Sequence, residues 1–115
     1  MMEDQIGKTV VEAVKDILPF FLSEAESDEY PYGVYFYTPE YSSTKDGIYK
    51  IATDMTIQIY SDDFDVAWSK SEAVKTAIMA EMNSGKFFTR ISSTSKTCVE
   101  RVWNIETIYR IIQIS

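Results

Sequence analysis

The sequence predicts an α+β domain: a mainly antiparallel sheet with two helices packed on one face, in the order α-β-β-α-β-β. Three observations carry this expectation. Residues 48–60 alternate apolar and polar side chains with period two, the strongest strand signal in the chain. Residues 4–20 and 63–83 instead space their apolar side chains three and four apart, as a half-buried helix does. Residues 104–115, "NIETIYRIIQIS", return to strand patterning. With 115 residues and no internal repeat or low-complexity linker, the chain reads as a single domain, 1–115.

In the first element, Ile6, Val10, Ala13, Val14 and Ile17 form one apolar face, with Asp4 as the expected N-cap. Pro19 should end or kink this helix, because proline disfavours helical geometry at the residue before it. "SEAESDEYP" then reads as an acidic, polar linker. "YPYGVYFYTP", residues 30–39, reads as a strand bounded by two prolines. Tyr32, Val34 and Phe36 share one face of it, and Tyr35 and Tyr37 the other. A stacking platform for bases needs basic neighbours, and the nearest charges are acidic. The tyrosines therefore read as a half-buried sheet face.

Residues 39–47, "PEYSSTKDG", read as a loop rich in turn formers, with Asp46-Gly47 at an exposed tip. In the long strand that follows, Ile51, Met55, Ile57 and Ile59 face inward with Thr53 in their row. Lys50, Asp54, Thr56 and Gln58 face out. The second helix buries Ala67, Val74, Ala77, Ile78 and Met82, with Trp68 beside the stripe and Gly85 as its C-terminal cap. "KFFTRISSTSK" reads as a strand, and "TCVERVW" continues it or begins another. The final strand places Ile105, Tyr109 and Ile111 on one face and Ile108, Ile112 and Ile114 on the other.

Composition excludes several chemistries. Histidine is absent and Cys98 is the sole cysteine, so no Ser-His-Asp triad, Cys-His pair, histidine zinc site or internal disulfide can be built. Apolar runs such as "DILPFFL" are too short to span a bilayer, and the acidic start does not resemble a signal peptide. The net charge of −7 argues against general affinity for nucleic acid, where phosphate neutralisation dominates. That charge is divided unevenly. Residues 1–85 carry six basic and sixteen acidic side chains, a net of −10; residues 86–115 carry five and two, a net of +3.

Asp62, Asp63 and Asp65 cluster where the long strand gives way to the second helix. Ser61 or Asp62 is expected to cap the helix, while Asp63 and Asp65 oppose the positive end of its dipole. Capping accounts for these acids without a metal. A calcium loop needs more oxygen donors and a glycine turn at the right spacing. Ser42, Ser43, Thr44 and Lys45 have no recognisable base beside them and read as solvated loop. No cofactor, metal or catalytic residue is expected.

The order of elements resembles the tail-completion, or tail-terminator, proteins of long-tailed bacteriophages and prophages. The resemblance spans about residues 5–114. It lies in the opening helix, the Pro-Tyr strand entry "YPYGVYFY", the run "MTIQIYSDDFDVAWSKSEAVKTAI" and the closing "IYRIIQI". Pro19 and the acidic "SEAESDE" depart from the pattern. The resemblance implies a virion-assembly role with no chemical turnover. It implies a hexameric ring in the virion tail, or in the host cytoplasm before assembly. Such a ring would contact tail-tube and head-completion proteins and let DNA pass through without specific binding. A ring is built from heterologous contacts, and the −10 and +3 portions suit one. Candidate interface residues are Arg101, Trp103, Tyr109, Arg110, Tyr35 and Tyr37, with the linker Glu24–Glu29 as the acidic counterpart. Trp68 and Trp103 read as core or interface anchors. The competing reading is a small-ligand-binding α+β regulatory domain whose tyrosine strand lines a pocket. An enzyme using only carboxylates and lysines ranks third.

Overall fold

Three long strands and one long helix organise the molecule in the computed structural model, which describes residues 5–22, 29–43, 49–83, 85 and 87–114. The observed order is α1 (Ile6–Val14), β1 (Phe20–Leu22), β2 (Tyr32–Phe36), β3 (Glu40–Ser43), β4 (Tyr49–Ser61), α2 (Phe64–Glu81), β5 (Phe87–Val99) and β6 (Val102–Ile114). The class is α+β, as the periodicities imply. The order is not the expected α-β-β-α-β-β, because β1 and β3 are additional strands. The expected cap Asp4, the linker residues 24–28 and the tip Asp46-Gly47 lie outside the described residues.

One sheet holds all six strands, with β1-β2-β4-β6-β5 in spatial order and β3 pairing with β4 beyond the end of β2. Every pairing is antiparallel except β1 with β2. β4 and β6 form the spine, paired continuously from Lys50↔Ile114 to Ser61↔Trp103. Odd-numbered residues of both strands point to the helices. Ile51, Thr53, Met55, Ile57, Ile59 and Ser61 are buried on β4, and Ile105, Thr107, Tyr109, Ile111 and Gln113 on β6. The opposite face is only partly solvated: Asp54 is exposed, but Ala52 and Thr56 are buried.

α2 lies directly on β4, β6 and β5. It buries Ala67, Ser71, Val74 and Ile78, a stripe at helical spacing that includes the polar Ser71. Thr89 of β5 fastens the end of this helix: its Oγ1 donates to the Met82 carbonyl at 2.8 Å, and its N–H donates to Asn83 Oδ1 at 2.8 Å. α1 packs mainly on α2 rather than centrally on the sheet. Ile6, Val10 and Val14 of α1 nevertheless join the same core cluster as Met55, Ile78 and Tyr109. Gly7 allows the closest approach, because a Cβ there would run into the Tyr37 ring. At the helix start, Gln5 offers no side-chain cap, and its N–H donates to Gln113 Oε1 at 2.9 Å.

The first helix is shorter than its sequence pattern. It ends at Val14, and Ile17 N–H closes a tight turn on the Val14 carbonyl at 3.0 Å. Pro19 then turns the chain alongside β2, where its carbonyl accepts from Gly33 N–H at 2.8 Å. Phe20–Leu22 thereby becomes a strand, although the sequence pattern carries the helix as far as Phe20. Glu40–Ser43 likewise pairs with Ala52–Tyr49, inside the segment expected as loop. The ambiguous "TCVERVW" resolves into a hairpin. Cys98 and Val99 end β5, Val102 and Trp103 begin β6, and Glu100 and Arg101 form the turn at φ 51° and 67°. Positive φ at both central residues is the type I′ geometry whose twist suits a two-residue hairpin.

Candidate functional site

The aspartate cluster is a helix cap. Asp63, in extended geometry at φ −124° and ψ 121°, accepts at Oδ1 from the N–H groups of Asp65 at 2.9 Å and Val66 at 3.3 Å. The N-cap is thus Asp63, one residue later than Asp62 and two later than Ser61, the expected positions. Ser61 is buried one step behind, where its Oγ accepts from Asp63 N–H at 3.1 Å and holds the cap in place. β4 continues through Ser61 because Trp103 still pairs with it, and this shifts the joint. Asp65 sits in the first helical turn, where its charge opposes the dipole. Among the described residues, no group of three or more Cys, Asp or Glu is arranged to hold a metal ion.

The six residues singled out for an interface do not form one patch. Arg101 is exposed in the hairpin turn. Trp103 is half-buried on the helix-facing side of β6, its ring edge-on to Phe64 at 4.8 Å. Arg110 lies on the other face of the sheet, 3.4 Å from the Asp54 carboxylate. Arg90 stands directly across the ladder from Arg110. Tyr35 and Tyr37 sit far across the sheet at β2, their rings stacked at 6.4 Å and packed against the core. Tyr109 is different. It is 1% exposed in the core, so its ring is not available to a second subunit. Its place in the odd row of β6, opposite Met55 and Ile91, turns it under α2. Burial pushes its phenol far above the ordinary range, the nearby Glu72 carboxylate adds to this, and a hydrogen bond with Thr107 opposes it.

The tyrosines divide between the two faces. On the face away from the helices, Tyr32 stacks between Tyr30 at 5.6 Å and Tyr60 at 5.1 Å, with Phe21 edge-on at 6.3 Å. A polar chain continues from this stack. Tyr60 donates to Gln58 Oε1 at 2.9 Å, and Gln58 Nε2 donates to Glu106 at 2.8 Å. Burial raises the Tyr60 phenol pKa, with smaller contributions from Tyr32 and Glu106.

Grooves among the described residues include two beside the helices. One of about 360 Å³ lies between the helices, lined by Thr9, Glu12, Ala13, Ala77, Ala80 and Glu81. The other, about 230 Å³, runs beside β5 and is lined by Trp68, Thr94, Ser95 and Lys96. Neither is lined by the tyrosine strand. At the second groove the Lys96 ammonium lies 5.5 Å from the Phe64 ring centre and 5.8 Å from that of Trp68. Phe64 and Trp68 stack at 6.1 Å. Helical spacing brings Phe64 and Trp68 together, and that much is visible in the sequence. Lys96 joins them because a register shift between Ile91 and Ser93 moves the even-numbered residues of distal β5 to the helix side. Nothing in the local sequence announces that shift.

No helix among the described residues is long and apolar enough to cross a membrane. No family model and no curated protein matches the chain. Among solved structures, its fold is similar to that of a chain from the virion of a native gene transfer agent particle. The TM-score is 0.66 at 15% identity, covering 92% of this chain and 84% of that one.

Proposed function

We propose that this chain is a structural protein of a phage-like virion, and within it a tail-terminator-like subunit. The observation that carries the reading is the fold likeness to a virion chain across 92% of the sequence. It coincides with the element pattern that resembles tail terminators. In this reading six copies form a ring that caps the finished tail tube and meets the head connector. Its partners are identical copies, tail-tube subunits and head-completion proteins, and it resides in the virion tail after assembly in the bacterial host. DNA passes through the ring without specific binding, aided by the overall charge of −7. The protein works by binding and turns over no substrate.

The basic C-terminal strands of one subunit meet an acidic surface of the next. Such complementarity governs encounter and register more than raw affinity, and salt screens it. Light scattering across protein concentration and salt, with and without purified tail tubes, tests the ring. The expected result is a concentration-dependent hexamer, weakened by salt and by the double reversal Arg101→Glu with Arg110→Glu. Rings that ignore this reversal refute the charge account. A chain that stays monomeric even with tail tubes present refutes the terminator role.

A further inference from the structure

We propose that the free edge of β5 receives β1 of a second copy as an antiparallel strand, with Leu22 seated in the groove beside Trp68 and Thr94. The proposal rests on the assembly reading above and specifies the contact that builds the assembly. β5 is the outermost strand on one side of the sheet and β1 the outermost on the other. Among the described residues, no further strand pairs with the outer side of β1 or of Thr94–Cys98 in β5. An unpaired strand edge presents a row of backbone donors and acceptors that templates another strand. Because the two edges differ, edge-to-edge pairing between copies is heterologous, the kind of contact that closes into a ring.

Register, direction and facing all agree. A cyclic operation about an axis along the strands adds no rise, so the two edges must match in register. In the ladder they do. Leu22 is level with Tyr35, Ile57, Thr107 and Thr94 along the ladder, and Phe20 with Gly33, Ile59, Ile105 and Lys96. The same operation preserves strand direction. β5 runs with β4 while β1 runs against it, so β5 meets the neighbour's β1 antiparallel, the more stable pairing. Leu22, Thr94 and Lys96 all lie on the helix side of the sheet, since residues directly opposite in a ladder face the same way.

The side chains at the two edges also match. Leu22 is 59% exposed and Trp68 40%, and the groove along β5 lies between Trp68 and Thr94. An added strand would carry Leu22 beside Thr94 and against the Trp68 ring. In this register Lys96 lies opposite Phe20, and the sequence after Leu22, with Glu24, Glu26, Asp28 and Glu29, continues toward the exposed Arg90 of β5. Charge complementarity therefore favours a second copy over a strand of unrelated composition.

Cross-linking tests this pairing. In a Cys98→Ser background, the double variant Leu22→Cys with Thr94→Cys is oxidised at a concentration where the unmodified chain is oligomeric by light scattering. Residues directly opposite in an antiparallel pair come within disulfide reach. The expected product is a reducible ladder of covalent oligomers, while an equal mixture of the two single variants stops at dimers. Leu22→Cys with Phe88→Cys, on the opposite face, serves as control. Leu22→Glu is expected to raise the assembly midpoint about tenfold or more, the scale on which burying a charge against apolar surface acts. Rings that form while the Thr94 pair links no faster than the Phe88 pair overturn the edge pairing and leave the ring reading standing. A ladder that grows into open fibres keeps the pairing and overturns the ring. A Thr94 cysteine that links only to a tail-tube subunit overturns the choice of a second copy. A chain that is monomeric at all concentrations and does not link overturns both.

Discussion

Replacing Asp63 by alanine removes two acceptor contacts at once, to Asp65 N–H at 2.9 Å and Val66 N–H at 3.3 Å. Both donors belong to the first helical turn and have no partner within the helix. Loss of such a cap costs about 0.5–2 kcal/mol. The unfolding entropy of a chain of 115 residues is about 0.24 kcal/mol/K, so each kcal/mol lowers Tm by about 4 °C. Asp63→Ala should therefore lower Tm by about 2–8 °C and shift the urea midpoint without changing the slope. Asp63→Asn keeps the acceptor and loses only the charge at the helix N-terminus, a change of about 0.3–1 kcal/mol. Asp62→Ala, at an exposed site just before the cap, should stay within about 0.5 kcal/mol of the parent. Ser61→Ala should fall between, because its Oγ accepts from Asp63 N–H at 3.1 Å. Urea denaturation of the four variants decides the matter. If Asp62→Ala loses more than Asp63→Ala, the strand-to-helix joint is not where the hydrogen bonds put it.

Three other outcomes are expected. Tyr109 holds a neutral phenol whose pKa burial raises above the ordinary phenol value of 10.0, so its stabilising contribution is complete below that value and is lost as pH climbs beyond it. In urea titrations above pH 10, the parent should therefore lose up to about 1.4 kcal/mol per pH unit more than Tyr109→Phe; equal pH dependence would count against this. Arg101 occupies a left-handed conformation at φ 67°, so Arg101→Gly should stabilise the hairpin by about 0.5–1 kcal/mol, and a lower denaturant midpoint would contradict the turn geometry. Calorimetric titration with magnesium, calcium, manganese and zinc should show no site tighter than about millimolar, and a micromolar site that vanishes in Asp63→Asn would overturn the capping account.

Period-two alternation in residues 48–60 and three-to-four spacing in residues 63–83 determined β4 and α2 nearly to their ends. Each element buries one face along its whole length, so the pattern repeats often enough to be read from the chain alone. Asp63 as the cap is one residue from the expectation, because the last β4 residue is set by its partner Trp103 on another strand. β1 and β3 span three and four residues, too few to show a period, and exist because β2 and β4 offer edges to pair with. Phe20 closes the expected helix and Phe21 and Leu22 follow it without a period of their own, so only pairing with Gly33–Tyr35 makes them a strand.

The candidate interface shows the same division. Alternation alone shows that Tyr109 has a buried or an exposed face, and the position of α2 decided that it is buried. Absence of histidine, a lone cysteine and the −10 and +3 portions are properties of the sequence and needed no fold. That Lys96 and Trp103 meet the Phe64–Trp68 pair belongs to tertiary structure alone. It depends on a register shift in β5 and on where a helix crosses a sheet, and both follow from pairing between segments distant in the chain.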